Sequence, residues 1–242
     1  MKKEYKRVVL KLSGEALSGD NNFVLCPEIL KRVAKQIAQI ANTGVEVGVV
    51  IGAGNIWRGR MDEEMNRAIA DNMGMAATLI NSLAMKDYVI RAGVKAEVLS
   101  AVPVDKFADY YTTRKAVELL ENKVVVIFAC GTGNPFFTTD TAGALRACEI
   151  TADGFIQAKN IDAVYDSDPK ENPKAKAFRK VSYEYILKNN LKAFDDTASI
   201  LCQENNIDCI MVSLNEENAL LNAINGKGKG TIISNNCEIE YY

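Results

Sequence analysis

The order of apolar patterns along this chain predicts an α/β protein with a mostly parallel sheet and helices on both faces. Three observations carry that prediction. Short β-branched runs alternate with stretches of helical periodicity, which is the βαβα order of a parallel sheet. Two runs, Val45–Ile51 and Val124–Ala129, are apolar almost without alternation, as strands covered on both faces are. Glycine-bearing loops follow three of the strands, at the edge where such sheets bind ligands.

In chain order, Val8-Val9-Leu10-Lys11-Leu12 reads as the first strand. Pro27–Asn42 reads as a helix: proline suits the first turn, Ile29, Leu30, Val33, Ala34, Ile37, Ile40 and Ala41 share one face, and Gly44 is the stop. The apolar strand Val45–Ile51 follows, then helices over about Asp62–Asn72 and Met75–Ala92, the second stopped by Gly93. Val94–Ser100 is a strand, Thr113–Glu121 a helix, Val124–Ala129 a strand, and a further helix starts near Thr139. Phe155–Ala158 and Ala163–Tyr165 are expected to be extended. Asp166–Lys180 has two prolines, several lysines and little periodicity, so it reads as a surface loop. Helices over Tyr183–Lys188 and Asp196–Asn205 precede a strand at Ile207–Val212. A helix near Glu216–Asn225 and a last strand at Thr231–Ser234 flank a Gly-Lys-Gly-Lys-Gly run.

The chain has 242 residues, with 31 acidic and 29 basic side chains and no histidine. At roughly 100–200 residues per domain, one domain spanning 1–242 is expected, with Asp166–Lys180 as the best place for a subdomain seam. Zero histidine excludes Ser-His-Asp and Cys-His nucleophile systems and every His-ligated metal site. The net charge of −2 gives no global field for nucleic acid or an anionic membrane. No run approaches the roughly 20 apolar residues of a membrane span, and the N-terminus lacks the apolar segment of a signal peptide. The six cysteines form no CxxC pair and several sit in apolar runs, the pattern of reduced thiols in a cytoplasmic protein.

The loops that carry chemistry are Ser13-Gly14, Gly52-Ala53-Gly54-Asn55 and Gly131-Thr132-Gly133-Asn134. Glycine lets backbone N–H groups approach a phosphate, and a following helix N-terminus adds positive dipole. A glycine after a strand is also an ordinary turn; three on one sheet edge favour a site for more than one phosphoryl group. A Walker A loop is absent, and the dinucleotide fingerprint fails at its third glycine after Gly52 and Gly54. Asp71 downstream keeps a Rossmann oxidoreductase as an outside alternative. Lys11, inside an apolar strand, is costly to bury unless it serves an anion or a carboxylate, the alternative being a solvent edge. Arg58 suits bidentate phosphate contact, or is a plain surface arginine. Gly131 through Asp140 packs small donors, a proline, two aromatics and a Thr-Thr-Asp helix start into ten residues, which looks like a pocket for a flat base.

Lys11 through Leu17, Gly48 through Asn55, Trp57-Arg58-Gly59, Asp71 through Met75 and Gly131 through Asp140 together resemble the bacterial uridylate (UMP) kinases of the amino acid kinase superfamily. The similarity runs from Tyr5 to Ile233, and the Gly-Thr-Gly-Asn-Pro-Phe-Phe-Thr-Thr-Asp segment is specific to this branch. The resemblance implies a three-layer α/β/α sandwich, transfer of a phosphoryl group from ATP to UMP, Mg²⁺ carried mainly by the nucleotide phosphates with no direct protein ligand, and a homohexamer. It implies that Lys11, Leu12, Ser13, Gly14, Gly54 and Arg58 surround the ATP phosphates, and that Asn160, Tyr165 and Asp168 contact the nucleoside end of ATP. Ala53, Asp71, Thr132, Gly133, Asn134, Pro135, Phe136, Phe137, Thr138 and Thr139 would hold UMP. Lys11, Arg58, Asp140 and Asp195 would be the catalytic set. GTP as activator and UTP as inhibitor are the effectors it suggests.

Three departures stand out. Ala53 occupies a position that is often glycine, where a backbone contact survives an added methyl. Gln157 stands where some relatives carry lysine; either Lys159 substitutes or that charge is missing. The Gly19–Val24 loop, matched to the GTP response, has no glycine between Gly19 and Phe23. A sibling kinase acting on a carboxylate or carbamate is the first alternative, disfavoured by Phe136 and Phe137. A non-catalytic nucleotide sensor is the second, disfavoured by Lys11, Asp140 and Asp195 occurring together. The missing histidine fits a phosphate acceptor, whose second pKa of about 6 leaves it ionised without a general base.

Overall fold

The computed structural model describes residues 4–19, 24–58, 64–191, 193–235 and 237–242. Its strands are β1 (Arg7–Leu12), β2 (Glu46–Ile51), β3 (Ala96–Ser100), β4 (Asp109–Tyr110), β5 (Val125–Ala129), β6 (Gly154–Lys159), β7 (Phe178–Ser182), β8 (Asp208–Ser213), β9 (Thr231–Ser234) and β10 (Glu240–Tyr241). Its helices are α1 (Pro27–Asn42), α2 (Arg67–Arg91), α3 (Thr113–Glu121), α4 (Thr139–Glu149), α5 (Tyr183–Lys188), α6 (Asp196–Glu204) and α7 (Ala219–Ile224).

Among the described residues the strands form one sheet in the order β10-β7-β9-β8-β6-β1-β2-β5-β3-β4. From β8 to β4 every neighbouring pair is parallel; β9 runs antiparallel to β8, and β10 antiparallel to β7. Side chains alternate across this sheet, so each central strand feeds two cores. Val8, Leu10 and Leu12 of β1 pack with α1, α2 and α7. Val9 packs with α3, α4, α5 and α6 on the other side. The protein is therefore a three-layer α/β/α sandwich. Among the described residues no helix is long and apolar enough to cross a membrane.

Several expectations need correction. The two helices expected over Asp62–Asn72 and Met75–Ala92 are one helix, α2, which runs through Gly74. Glycine weakens a helix by about 1 kcal/mol, but no proline or cap accompanies it. The cap lies earlier, where Asn66 Oδ1 accepts the N–H groups of Ala68 and Ile69. The residues proposed as that helix's start, Asp62 and Glu63, lie outside the described residues. The loop expected to run to Lys180 ends earlier, because Phe178–Ser182 is the strand β7. Its signal is one buried ring: Phe178 is fully covered and stacks on Tyr241 at 4.7 Å. The expected Ala163–Tyr165 strand is reduced to a single bridge between Tyr165 and Ala177. The last helix starts at Ala219 rather than Glu216, after Asn218 takes φ +57°.

Candidate active site

The carboxyl ends of the parallel strands share one sheet edge, and β1 stands in its middle. To one side lie β6 and β8; to the other lie β2 and β5. The loops after β1 and β2 meet at Gly14 and Gly52. A Cβ on Gly14 would lie 2.3 Å from the Gly52 carbonyl oxygen and 2.5 Å from Asn55 Oδ1, so only glycine fits. Gly52 N–H donates to the Leu12 carbonyl at 2.9 Å. Asn81, wholly buried on α2, donates to Gly52 O (2.7 Å) and exchanges amide hydrogen bonds with Asn55. The Leu12 side chain lies in the core, so its only offering to a ligand is its backbone.

Lys11 continues the phase of Val9 and so faces α4. Its Nζ lies 2.7 Å from Asp140 Oδ1. Lys159, at the end of β6 on the same face, places its Nζ 2.8 Å from Asp140 Oδ2 and donates to the Ala193 carbonyl at 3.0 Å. One carboxylate in the first turn of α4 thus holds two ammonium groups at the centre of the strand ends. Burial pushes the Asp140 carboxyl up, but the two lysines overcome this and hold it below the usual carboxylate range. Gln157 is level with Lys11 in the β1–β6 register. Its buried amide has no hydrogen-bond partner among the described residues. The charge in this region comes instead from Lys159, two residues on.

Asp195 sits beside this group without joining it. It caps α6 by accepting the Ala198 N–H at 2.8 Å. It also accepts from the Thr141 hydroxyl at 2.9 Å and from the Thr138 hydroxyl. Asp195 therefore ties the start of α6 to the start of α4; among the described residues no lysine pairs with it. Thr138 is the N-cap of α4, accepting the Thr141 N–H.

On the β2–β5 side a cleft of about 780 Å³ opens. Ala53, Gly54, Arg58, Asp71, Thr132, Asn134, Phe137, Thr138 and Thr139 all line it, together with Trp57 and Met75. Cys130 (φ +62°) and Gly131 (φ +57°) turn the chain off β5. Gly133 (φ +82°) packs so closely on Ala101 that a Cβ would lie 3.0 Å from its carbonyl oxygen. Thr132 folds the loop tip by donating to Asn134 O and accepting its N–H. Asp71 reaches across from α2 to accept the Phe136 N–H at 2.8 Å. Phe136 and Phe137 remain exposed, and Pro135 is partly covered. Gly133, Pro135 and Phe136 frame the loop without lining the cleft.

The remaining expected residues are spread along the edge. Ser13 N–H bonds the Ala158 carbonyl, joining β1 to β6. Arg58 is largely exposed and pairs with Glu15 at 2.9 Å; Gly59 after it lies outside the described residues. Asn160, Tyr165 and Asp168 lie past the end of β6, on the opposite side of β1 from the cleft. Asn160 is exposed, Tyr165 donates to Asp162 at 2.9 Å, and Asp168 caps the Lys170 N–H. Most of the Gly19–Val24 loop, residues 20–23, lies outside the described residues. Sequence reasoning did not single out Asn81 or Glu15, and raised Lys159 only as a substitute. That Lys159 shares the face of Lys11 follows only from the β1–β6 register.

Comparison with known proteins finds relatives along most of the chain. The amino acid kinase family matches residues 6–213. The UMP kinase of Bacillus anthracis superposes with a TM-score of 0.95 at 34% identity, over 99% of this chain and 100% of that one. The UMP kinase of Ureaplasma parvum gives 0.91 at 39% identity, over 97% and 100%. The uridylate kinase of Archaeoglobus fulgidus gives 0.71 at 29% identity, over 94% and 99%.

Proposed function

The chain belongs to the amino acid kinase family, and on that premise we propose that it transfers the γ-phosphoryl group of ATP to UMP, giving ADP and UDP. The observation that carries this reading is the placement of Lys11, Asp140 and Lys159 between two sides of one strand edge. The cleft over β2 and β5 takes UMP, with the Gly131–Thr139 loop around its base and sugar. ATP lies across β1 toward β6, with Asn160, Tyr165 and Asp168 near its nucleoside. The γ-phosphoryl group then meets the UMP phosphate above Lys11.

Phosphoryl transfer passes through a loose transition state whose charge sits on the peripheral oxygens. The work of the protein is alignment and neutralisation. Lys11 and Lys159 supply two cations whose positions Asp140 sets. The backbone N–H groups of Gly14, Ala53 and Gly54 add fixed donors without a reorganisation cost. Arg58, released from Glu15, reaches the phosphates from the solvent side. Mg²⁺ bound to the ATP phosphates would supply further neutralisation of their charge. Both Asp140 oxygens already face ammonium groups and the Asp195 oxygens are taken by hydroxyls and a cap, which suits a metal held by phosphates.

Self-association is part of the reading. Ile69, Met73, Ala76, Ile80 and Ile90 lie exposed along α2, at spacings that share one side of a helix. Opposite them, Asp71, Thr78 and Asn81 hold the substrate loops. A second copy covering this face would hold α2 in place, as expected in a homohexamer. Ile80→Asp is expected to shift the particle to a smaller species in size-exclusion chromatography with light scattering, with the native circular dichroism retained. An unchanged mass would remove α2 from the interface.

The function is tested by UDP formation from ATP with each nucleoside monophosphate in turn, with and without GTP and UTP. UMP is expected to be the preferred acceptor by at least tenfold in kcat/KM. The aromatic ring of Phe137, which lines the cleft from the Gly131–Thr139 loop, supports that preference. Equal rates with every monophosphate, or phosphorylation of a carboxylate acceptor instead, would contradict it. The GTP and UTP arms measure the effectors proposed for this chain.

A further inference from the structure

Behind the UMP loop lies a charged cluster that the transfer reaction does not use. Arg146 projects from α4 with a side chain only 4% exposed. One guanidinium nitrogen lies 2.5 Å from Glu149 Oε2, and the other donates to the Gly131 carbonyl at 3.1 Å. The guanidinium carbon sits 3.9 Å from the centre of the Tyr111 ring. Tyr111 donates to the same Glu149 oxygen at 2.6 Å and meets Phe128 of β5 edge-on.

A guanidinium buried this deeply is retained only where its donors are used. Ion pairing with Glu149 accounts for the charge, and the tyrosine face for the plane. The bond to Gly131 remains, and it falls at a particular place. Cys130 and Gly131 both have positive φ, so the chain reverses there between β5 and the loop. The Cys130 N–H is held by the Thr78 hydroxyl at 2.8 Å. Arg146 holds the next carbonyl from the other side of the sheet. The loop is thus pinned at its root by Thr78 and Arg146, and near its middle by Asp71.

We infer that Arg146 is a positioning residue for the phosphoryl acceptor: through the Gly131 carbonyl it sets the root of the loop that receives UMP, while Glu149 and Tyr111 hold its guanidinium in place. The inference rests on the assignment of that loop to UMP. It differs from a purely structural role in α4 packing by what it spares. A packing role moves stability and both substrates together. A positioning role moves the acceptor and leaves ATP, on the far side of β1, alone.

Arg146→Lys keeps the charge beside Glu149 but lacks the planar fork that serves Glu149 and Gly131 together. Loss of one hydrogen bond from a charged donor predicts a rise in KM for UMP of about tenfold. KM for ATP is expected to stay within about twofold, and kcat at saturating UMP within about threefold. Calorimetric titration of UMP without ATP is expected to weaken by the same factor. Tyr111→Phe, which removes only the hydroxyl on Glu149, is expected to raise KM for UMP about threefold in the same selective way. It keeps the test decidable if the lysine variant fails to fold. An unchanged KM for UMP in the folded variants overturns the inference, as does an equal rise for both nucleotides. A wild-type chain that neither binds UMP nor makes UDP overturns the loop assignment and the inference with it. A wild-type chain that does both, beside variants with unaltered constants, overturns the inference alone.

Discussion

Lys11→Ala is expected to lower kcat by about 10²–10³-fold, the cost of removing one preorganised donor from developing charge. UMP binding should remain near the wild-type value, because Lys11 is not among the residues that line the cleft proposed for UMP. The fold should survive, since Asp140 keeps Lys159 as a partner at 2.8 Å. Steady-state kinetics with calorimetric UMP titration separates the two effects. Turnover within about tenfold of wild type would remove Lys11 from the phosphoryl path.

Asp140→Asn is expected to cost both activity and stability. It leaves two ammonium groups, with side chains only 10% and 20% exposed, facing each other without a counter-charge. Breaking a buried pair costs about 3–5 kcal/mol; the partial exposure of Lys159 puts this case at the lower end, about 3. The effect on kcat should match or exceed that of Lys11→Ala, because both cations lose their positions. The sign of the pH dependence follows from the depressed carboxyl. A group lowered on folding stabilises above its unfolded value, near 3.9, and that contribution disappears as pH falls through the lower folded value. Urea unfolding is therefore expected to separate wild type from variant at pH 7 and to bring them together in strong acid. A constant gap across that range would contradict the ion-pair account.

The elements that could be read from sequence are those with a strong local signature. Pro27 to Asn42, Thr113 to Glu121 and Tyr183 to Lys188 are helices at the expected residues. Each combines a cap or proline with an apolar face. The two unalternating strands are β2 and β5, flanked by helices on both faces as their composition demands. What escaped was held by distant partners. β4 and β10 are two residues long and exist only through pairing with β3 and β7. β7 is recognisable once Phe178 has Tyr241 to stack on, 63 positions later. The local periodicity reads as two helices on either side of Gly74, while the packing that carries α2 through it is not visible in the sequence.

The site divides in the same way. Glycine loops and the Gly131–Asp140 segment announce themselves through composition, and the strand order brings them to one edge. Lys11 was suspect because an apolar strand has no cheap place for it, and Asp140 is the partner that explains it. Asn81, Glu149 and Arg146 gave no signal, because an asparagine or a charge on a helix is ordinary until its partner is known. Asn81 finds Gly52 across 29 positions, and Arg146 finds Gly131 across 15. Lys159 required knowing that β6 lies beside β1 in register.

In the proposed reaction the terminal phosphoryl group of ATP passes directly to the phosphate of UMP above Lys11. Incubation with ATP labelled in its γ-phosphoryl group, UMP and Mg²⁺ tests it most directly. Label is expected in the β-phosphoryl of UDP, one equivalent for each ADP released, and with Lys11→Ala at matched times in about a hundredth of that amount or less. Label recovered as inorganic phosphate, or UDP formed at the wild-type rate without Lys11, would contradict it.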